Sequence, residues 1–167
     1  YNIIHAWDEL ERAARDNLDA ARQMLMDILS NYQGFKKCRV ILVFDAYRVP
    51  RGSGEVQRCN NIHVVYTKQA ETADAYLERV TYELGRKYRV RVATSDAAEQ
   101  MIILGHGALR VSARTFRAEV EQAGGQIAAI LARNNRRIPS EEMRRAMERA
   151  AEKKGKQGAD KKSADIA

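Results

Sequence analysis

Apolar residues recur at three- and four-residue spacing from Trp7 to Tyr32, with Leu18, Ala21, Met24, Leu25, Ile28 and Leu29 forming one stripe. That spacing is the mark of helices that bury one face. Asp16-Asn17 interrupts the stretch and predicts two helices in series, with Gly34 as the expected stop. Cys38 to Phe44 is nearly continuous in apolar, largely β-branched residues, the pattern of a strand covered on both faces, with Cys38 buried at its start. A polar loop containing Pro50, Gly52 and Gly54 follows, and Ile62-His63-Val64-Val65-Tyr66 reads as a second strand.

Thr72 is placed to cap a helix from Ala73 to about Gly85, whose apolar side holds Ala73, Tyr76, Leu77, Val80 and Leu84. Val90 to Thr94 is a third strand, Asp96 to about Leu104 a short helix ended by Gly105-His106-Gly107, and Leu109-Arg110-Val111 a small edge strand. Ser112 caps a helix running towards Gly124-Gly125, and Pro139-Ser140-Glu141-Glu142 marks a fresh helix start. Strands alternating with helices predict an α/β sandwich of three layers around a mainly parallel sheet. Residues 1–132 form the expected domain, and 133–167 a basic tail, helical and then disordered from Lys153.

Composition changes this picture in two places. A hydrophobic share of 45% supports a substantial core, and two cysteines, Cys38 and Cys59, are too few for a disulfide framework. The net charge of +7 is concentrated: from Arg133 onward eleven Lys/Arg face six Asp/Glu, leaving eighteen against sixteen in the body. A basic tail suits attraction to nucleic acid through phosphate contacts, and a solvated, charge-rich extension accounts for it equally. No apolar run approaches the roughly 18 residues of a membrane span, so a cytoplasmic protein with reduced thiols is the expectation.

The candidate chemistry lies in acids at element junctions. Asp45 ends the first strand, Asp74 stands in the first turn of a helix, and Asp96 follows the third strand. In parallel sheets ligands collect beyond the carboxyl ends of the strands, so these acids are candidates to share one edge. Mg²⁺ and Mn²⁺ favour oxygen ligands, and Mg²⁺ keeps several waters around a few carboxylates. Each acid also has a plain structural explanation: Asp74 and Asp96 as favourable charges at helix starts, Asp45 as a turn former.

Other signals are weaker. Gly52-Ser53-Gly54 lacks the Gly-Lys-Ser/Thr of a phosphate loop. The loop after Asp45 interleaves Tyr47 with Arg48, Arg51 and Arg58, a composition that can grip single-stranded RNA, or simply face solvent. His5, His63 and His106 share no motif and read as structural.

Taken in order, Tyr1-Asn2-Ile3-Ile4, Val43-Phe44-Asp45-Ala46, Glu71-Thr72-Ala73-Asp74 and Thr94-Ser95-Asp96 resemble the YacP-like NYN domains, with Gly105-His106-Gly107-Ala108 and Ser112-Ala113-Arg114 similar as well. These are PIN-like endoribonucleases, some linked to ribosome-associated messenger RNA decay. The resemblance implies Mg²⁺ or Mn²⁺ held by Asp74, Asp96 and Asp45, with Glu71 as a further ligand or a neighbour of one. It implies substrate contacts from Asn2, Thr94 and Ser95, with RNA as substrate and the ribosome as a candidate partner, while Arg48, Arg51 and Arg58 are candidate RNA contacts from the loop's composition alone. In the family a strand ending in Asp-Gly precedes Tyr-Asn and contributes an acid, so the expectation here is an N-terminally truncated domain. A non-catalytic RNA- or ribosome-binding module on the same fold is the competing reading, and a small-molecule phosphohydrolase a third.

Overall fold

The computed structural model describes residues 1–45, 56–68, 70–96, 108–135, 141 and 143–149. In chain order these give α1 (Asn2–Ala6), α2 (Asp8–Asp16), α3 (Leu18–Lys36), β1 (Ile41–Phe44), β2 (Val56–Cys59), β3 (Ile62–Tyr66), α4 (Ala73–Gly85), β4 (Arg91–Thr94), β5 (Leu109–Ser112) and α5 (Ala113–Asn135). The chain divides into two compact units, Tyr1–Gly125 and Gln126–Ala167.

The break at Asp16-Asn17 is real and has a local cause. Asn17 leaves the helical region and its side-chain oxygen accepts from the amides of Asp19 and Ala20, starting α3. Gly34 does not stop α3. The helix passes through it and closes at Lys37, whose left-handed conformation (φ 51°) lets its amide reach Gln33 O at 2.8 Å. Cys38 therefore lies in the turn before β1 and is exposed, against the expectation of a buried thiol.

Five strands form two ladders among the described residues, in place of the one mainly parallel sheet expected. β1 pairs with β3 in parallel and β2 with β3 antiparallel, in the order β1-β3-β2, while β4 and β5 form a separate parallel pair. Strand β2 escapes the sequence pattern because Val56-Gln57-Arg58 is exposed on both faces and shows no alternation to read. Its hairpin turns at Asn60, which takes φ 53° as asparagine tolerates. The turn is fixed to α3: Ser30 Oγ donates to Asn61 Oδ1 at 2.7 Å, Asn61 Nδ2 donates to Ser30 O at 3.0 Å, and Gln33 Nε2 donates to Asn61 O.

The larger core cluster lies on one face of the β1-β3-β2 ladder, and a smaller one gathers Val92 and Ala108 with Leu77 and Val90. Leu42, Phe44, Ile62 and Val64 pack with Ile4, Trp7, Leu10, Leu25 and Leu29, joined from α5 by the partly buried Phe116 and Val120. Ile41 is exposed, so β1 is covered fully on one face only. Trp7, 1% exposed, locks this cluster, its indole N–H donating to Ala113 O at 3.0 Å.

Thr72 caps α4 as expected, accepting from Ala75 N at 3.2 Å. Ser112 likewise accepts from Thr115 N at 3.1 Å at the start of α5. That helix does not end at Gly124-Gly125 but runs on to Asn135. Each interior glycine costs roughly 1 kcal/mol against alanine, too little to break a helix flanked by strong formers. In the second unit, residues 126–135 and 143–149 are helical, with Ile130, Leu131, Met143 and Met147 exposed. No helix among the described residues is long and apolar enough to cross a membrane. The expected helix after Asp96, the turn at Gly105 to Gly107 and the tail from Lys153 lie outside the described residues.

Candidate active site

The first two residues of the chain bridge the carboxyl ends of the two ladders. The Tyr1 ring lies 5.4 Å from that of Phe44, the last residue of β1, and Phe44 stacks on Tyr66, the last of β3, at 5.5 Å. Asn2 turns to β4: its Nδ2 donates to Thr94 Oγ1 at 3.1 Å. Thr94 is buried (2% exposed), and its hydroxyl oxygen also accepts from the Asp96 amide at 3.1 Å. Ser95 Oγ faces Asn2 O at 3.5 Å, the outer limit of a hydrogen bond. One buried hydroxyl thus sets both the asparagine side chain and the backbone that presents Asp96.

Asp45 and Asp96 occupy similar positions, Asp45 directly after the last residue of β1 and Asp96 just beyond Ser95 at the end of β4. Asp45 is half-buried and Asp96 exposed. Asp74 is exposed in the first turn of α4, where a carboxylate is favoured by the helix dipole. Glu71 has a partner already: Arg79 Nη2 donates to its Oε1 at 2.7 Å while the guanidinium lies over the Tyr76 ring at 5.0 Å. Arg58 is in strand β2 and not in the loop after Asp45. It stands in register with His63, and His63 with Ile41, the first residue of β1, so it belongs to the end of the sheet away from Asp45. Arg48 and Arg51 fall outside the described residues.

Among the described residues no three His, Cys, Asp or Glu side chains converge as a metal cage. The donors at the strand ends are nonetheless all oxygen. Mg²⁺ keeps most of its waters and needs only one or two carboxylates, so Asp45 and Asp96 are donors of the kind it takes.

Sequence reasoning missed Arg22. It is 8% exposed on α3, pairs with Asp19, and stands over the Tyr1 ring at 5.8 Å. Burial raises the Tyr66 phenol above its ordinary value, and the Arg22 charge opposes that shift. Nothing in the local pattern marks this arginine, because it sits beside Ala21 on an otherwise ordinary helix. At the opposite ends of the strands, Arg91 donates two hydrogen bonds to Glu119, at 2.6 and 3.2 Å, and Tyr32 a third at 3.2 Å. The hydrogen bond from Arg91 is the main reason the Glu119 carboxyl is held below its usual value.

The chain belongs to the YacP-like NYN domain family, which it matches over residues 1–158 and which is nuclease-like. YacP of Bacillus subtilis (strain 168) is 40% identical over 122 residues, 72% of this chain and 71% of that protein. The crystal structure of Rae1 (YacP) from Bacillus subtilis superposes with a TM-score of 0.73 at 32% identity, covering 96% of this chain and 92% of that one. A tryptophan-to-leucine mutant of Rae1, also solved as a crystal structure, gives a TM-score of 0.70 at 34% identity, over 86% of this chain and 84% of that one.

Proposed function

We propose that the protein is a metal-dependent endoribonuclease that cleaves single-stranded RNA, messenger RNA included, at the edge formed by Asp45, Asp96 and the start of α4. The observation that carries the reading is the shared use of Thr94 Oγ1 by Asn2 and by the Asp96 amide. It prepares a carboxylate at the strand end of a chain in a nuclease-like family.

Asp96 and Asp45 would hold Mg²⁺ or Mn²⁺, with Asp74 contributing from α4. A cation so bound supplies an activated water and neutralises charge gathering on the phosphate oxygens. Thr94 keeps the turn to Asp96 closed. Asn2 anchors α1 against β4 through Thr94. Glu71, engaged by Arg79, steadies the approach to α4 and is not assigned to the metal. Ribosome association and a cytoplasmic setting accompany this reading as proposals, supported by the likeness to YacP and the basic C-terminal segment.

The test is internal cleavage of a labelled single-stranded RNA with Mn²⁺, with Mg²⁺ and with EDTA, for the native protein and Asp96→Asn. The competing reading, a non-catalytic RNA-binding module, is favoured by the many exposed cations. It requires salt-sensitive binding with no metal-dependent product.

A further inference from the structure

The end of the strands opposite the acids carries its own concentration of charge. Strands β1 and β4 are each entered through a short basic segment, Lys36-Lys37-Cys38-Arg39 before one and Arg86-Lys87-Tyr88-Arg89 before the other. These eight residues hold six cations and no carboxylate, and all eight are exposed.

The two segments belong to one end of the first unit. Tyr1 and Asn2 align the strands at their carboxyl ends, on Phe44 and Thr94. At their amino ends Glu119 performs the matching service. It is bonded to Arg91, the first residue of β4, and to Tyr32 of α3, and the charge of Lys36 acts on the same carboxylate. With Glu119 engaged by Arg91 at short range, this one acid does not offset the six cations.

We propose that this amino-terminal end of the strands is a second nucleic-acid surface, which grips the phosphate backbone of a structured, base-paired RNA. Base-paired RNA is recognised by shape and phosphate contacts instead of base edges, and that is what long exposed cations without an interleaved recognition pocket can supply. Tyr88, 57% exposed, is the one ring among the eight residues, which hold no aliphatic side chain, while the exposed Ile41 and Leu109 begin β1 and β5 beside them. The cations outnumber these apolar residues, which favours RNA over a lipid surface, and vesicle binding separates the two below. The surface rests on the RNA reading above only for the identity of its polyanion. Lying at the far end of the strands, it leaves the acidic edge open to a single-stranded segment of the same molecule.

The experiment is binding of a fluorescent RNA hairpin in EDTA, titrated across NaCl concentrations. The native protein is compared with Lys36→Gln/Arg39→Gln/Lys87→Gln/Arg89→Gln and with the charge-keeping Lys36→Arg/Arg39→Lys/Lys87→Arg/Arg89→Lys. Loss of four phosphate contacts lowers the slope of log affinity against log salt by about 3, while the charge-keeping variant retains it. An unchanged slope in the glutamine variant overturns the proposal, as does a loss confined to anionic phosphatidylglycerol vesicles. Should the fourfold variant fail to fold by Trp7 fluorescence, the two double variants each lower the slope by about half as much, and an unchanged slope in both is again contrary. Asp96→Asn binds the hairpin as the native protein does. Intact binding without cleavage therefore sinks the nuclease reading alone, and intact cleavage with an unchanged slope sinks this one alone.

Discussion

Asn2 and Thr94 are separated by 92 positions in sequence and by 3.1 Å in the folded protein, amide donating to hydroxyl. The same hydroxyl oxygen receives the Asp96 amide, so one buried atom joins α1, β4 and a candidate metal ligand. Thr94→Val keeps the shape and removes the acceptor. Two hydrogen bonds lose that acceptor, and the expected loss is about 1–3 kcal/mol of stability. Urea denaturation followed through the single tryptophan, Trp7, measures it. RNA cleavage should fall further than stability accounts for, and an unaltered rate would show that Thr94 does not set Asp96.

Asn2→Ala is the milder lesion, removing the hydrogen bond to Thr94 from an exposed residue. About 1 kcal/mol is expected from the bond itself. The metal dependence of cleavage should weaken while single-stranded RNA is still bound. Titrating Mn²⁺ against the rate separates the two effects.

The Arg91–Glu119–Tyr32 cluster predicts a pH signature. Arg91 depresses the Glu119 carboxyl, so the stabilisation is complete above the ordinary glutamate value of about 4.3 and is lost as pH falls through the lower, folded value. Burial and then the Glu119 charge raise the Tyr32 phenol. Its stabilisation is therefore present below about 10 and is lost as pH rises through the higher, folded value. Stability curves of Glu119→Gln should lack the acid limb and show a weakened alkaline one. Curves parallel to the native protein at both ends would contradict the assignment.

The hairpin clip offers a purely structural control. Asn61→Ala removes both bonds to Ser30, one of them with the Ser30 hydroxyl, and should cost about 1–3 kcal/mol. Asn60→Gly should be close to neutral or better, because glycine accepts φ 53° without strain. Neither change should alter metal dependence. Thermal melts and the cleavage assay together decide it.

Much of this fold could be read from the chain, for reasons that differ by element. The stripe from Leu18 to Leu29, except for Met24, which is exposed, the cap at Thr72 and the apolar run into Phe44 are local patterns that survive folding. Strand β2 and the continuation of α5 through Gly124-Gly125 were not legible. A strand exposed on both faces has no period, and a long helix overrides the weak preference of two glycines. The acids at the strand ends were legible as a pattern. Thr94 was legible only as a candidate substrate contact, and its bond to Asn2, 92 positions away, was not, because no local pattern spans that separation. Arg22 and the paired basic segments share that property: each is meaningful only after α3, β1 and β4 are brought together.

The most direct test of the central claim is cleavage of an end-labelled single-stranded RNA by the protein in Mn²⁺, in Mg²⁺ and in EDTA, beside Asp96→Asn. Internal cuts that depend on the cation and disappear in the variant are the predicted result. Cuts that persist in EDTA, or in Asp96→Asn, would contradict a metal-dependent nuclease centred on this edge.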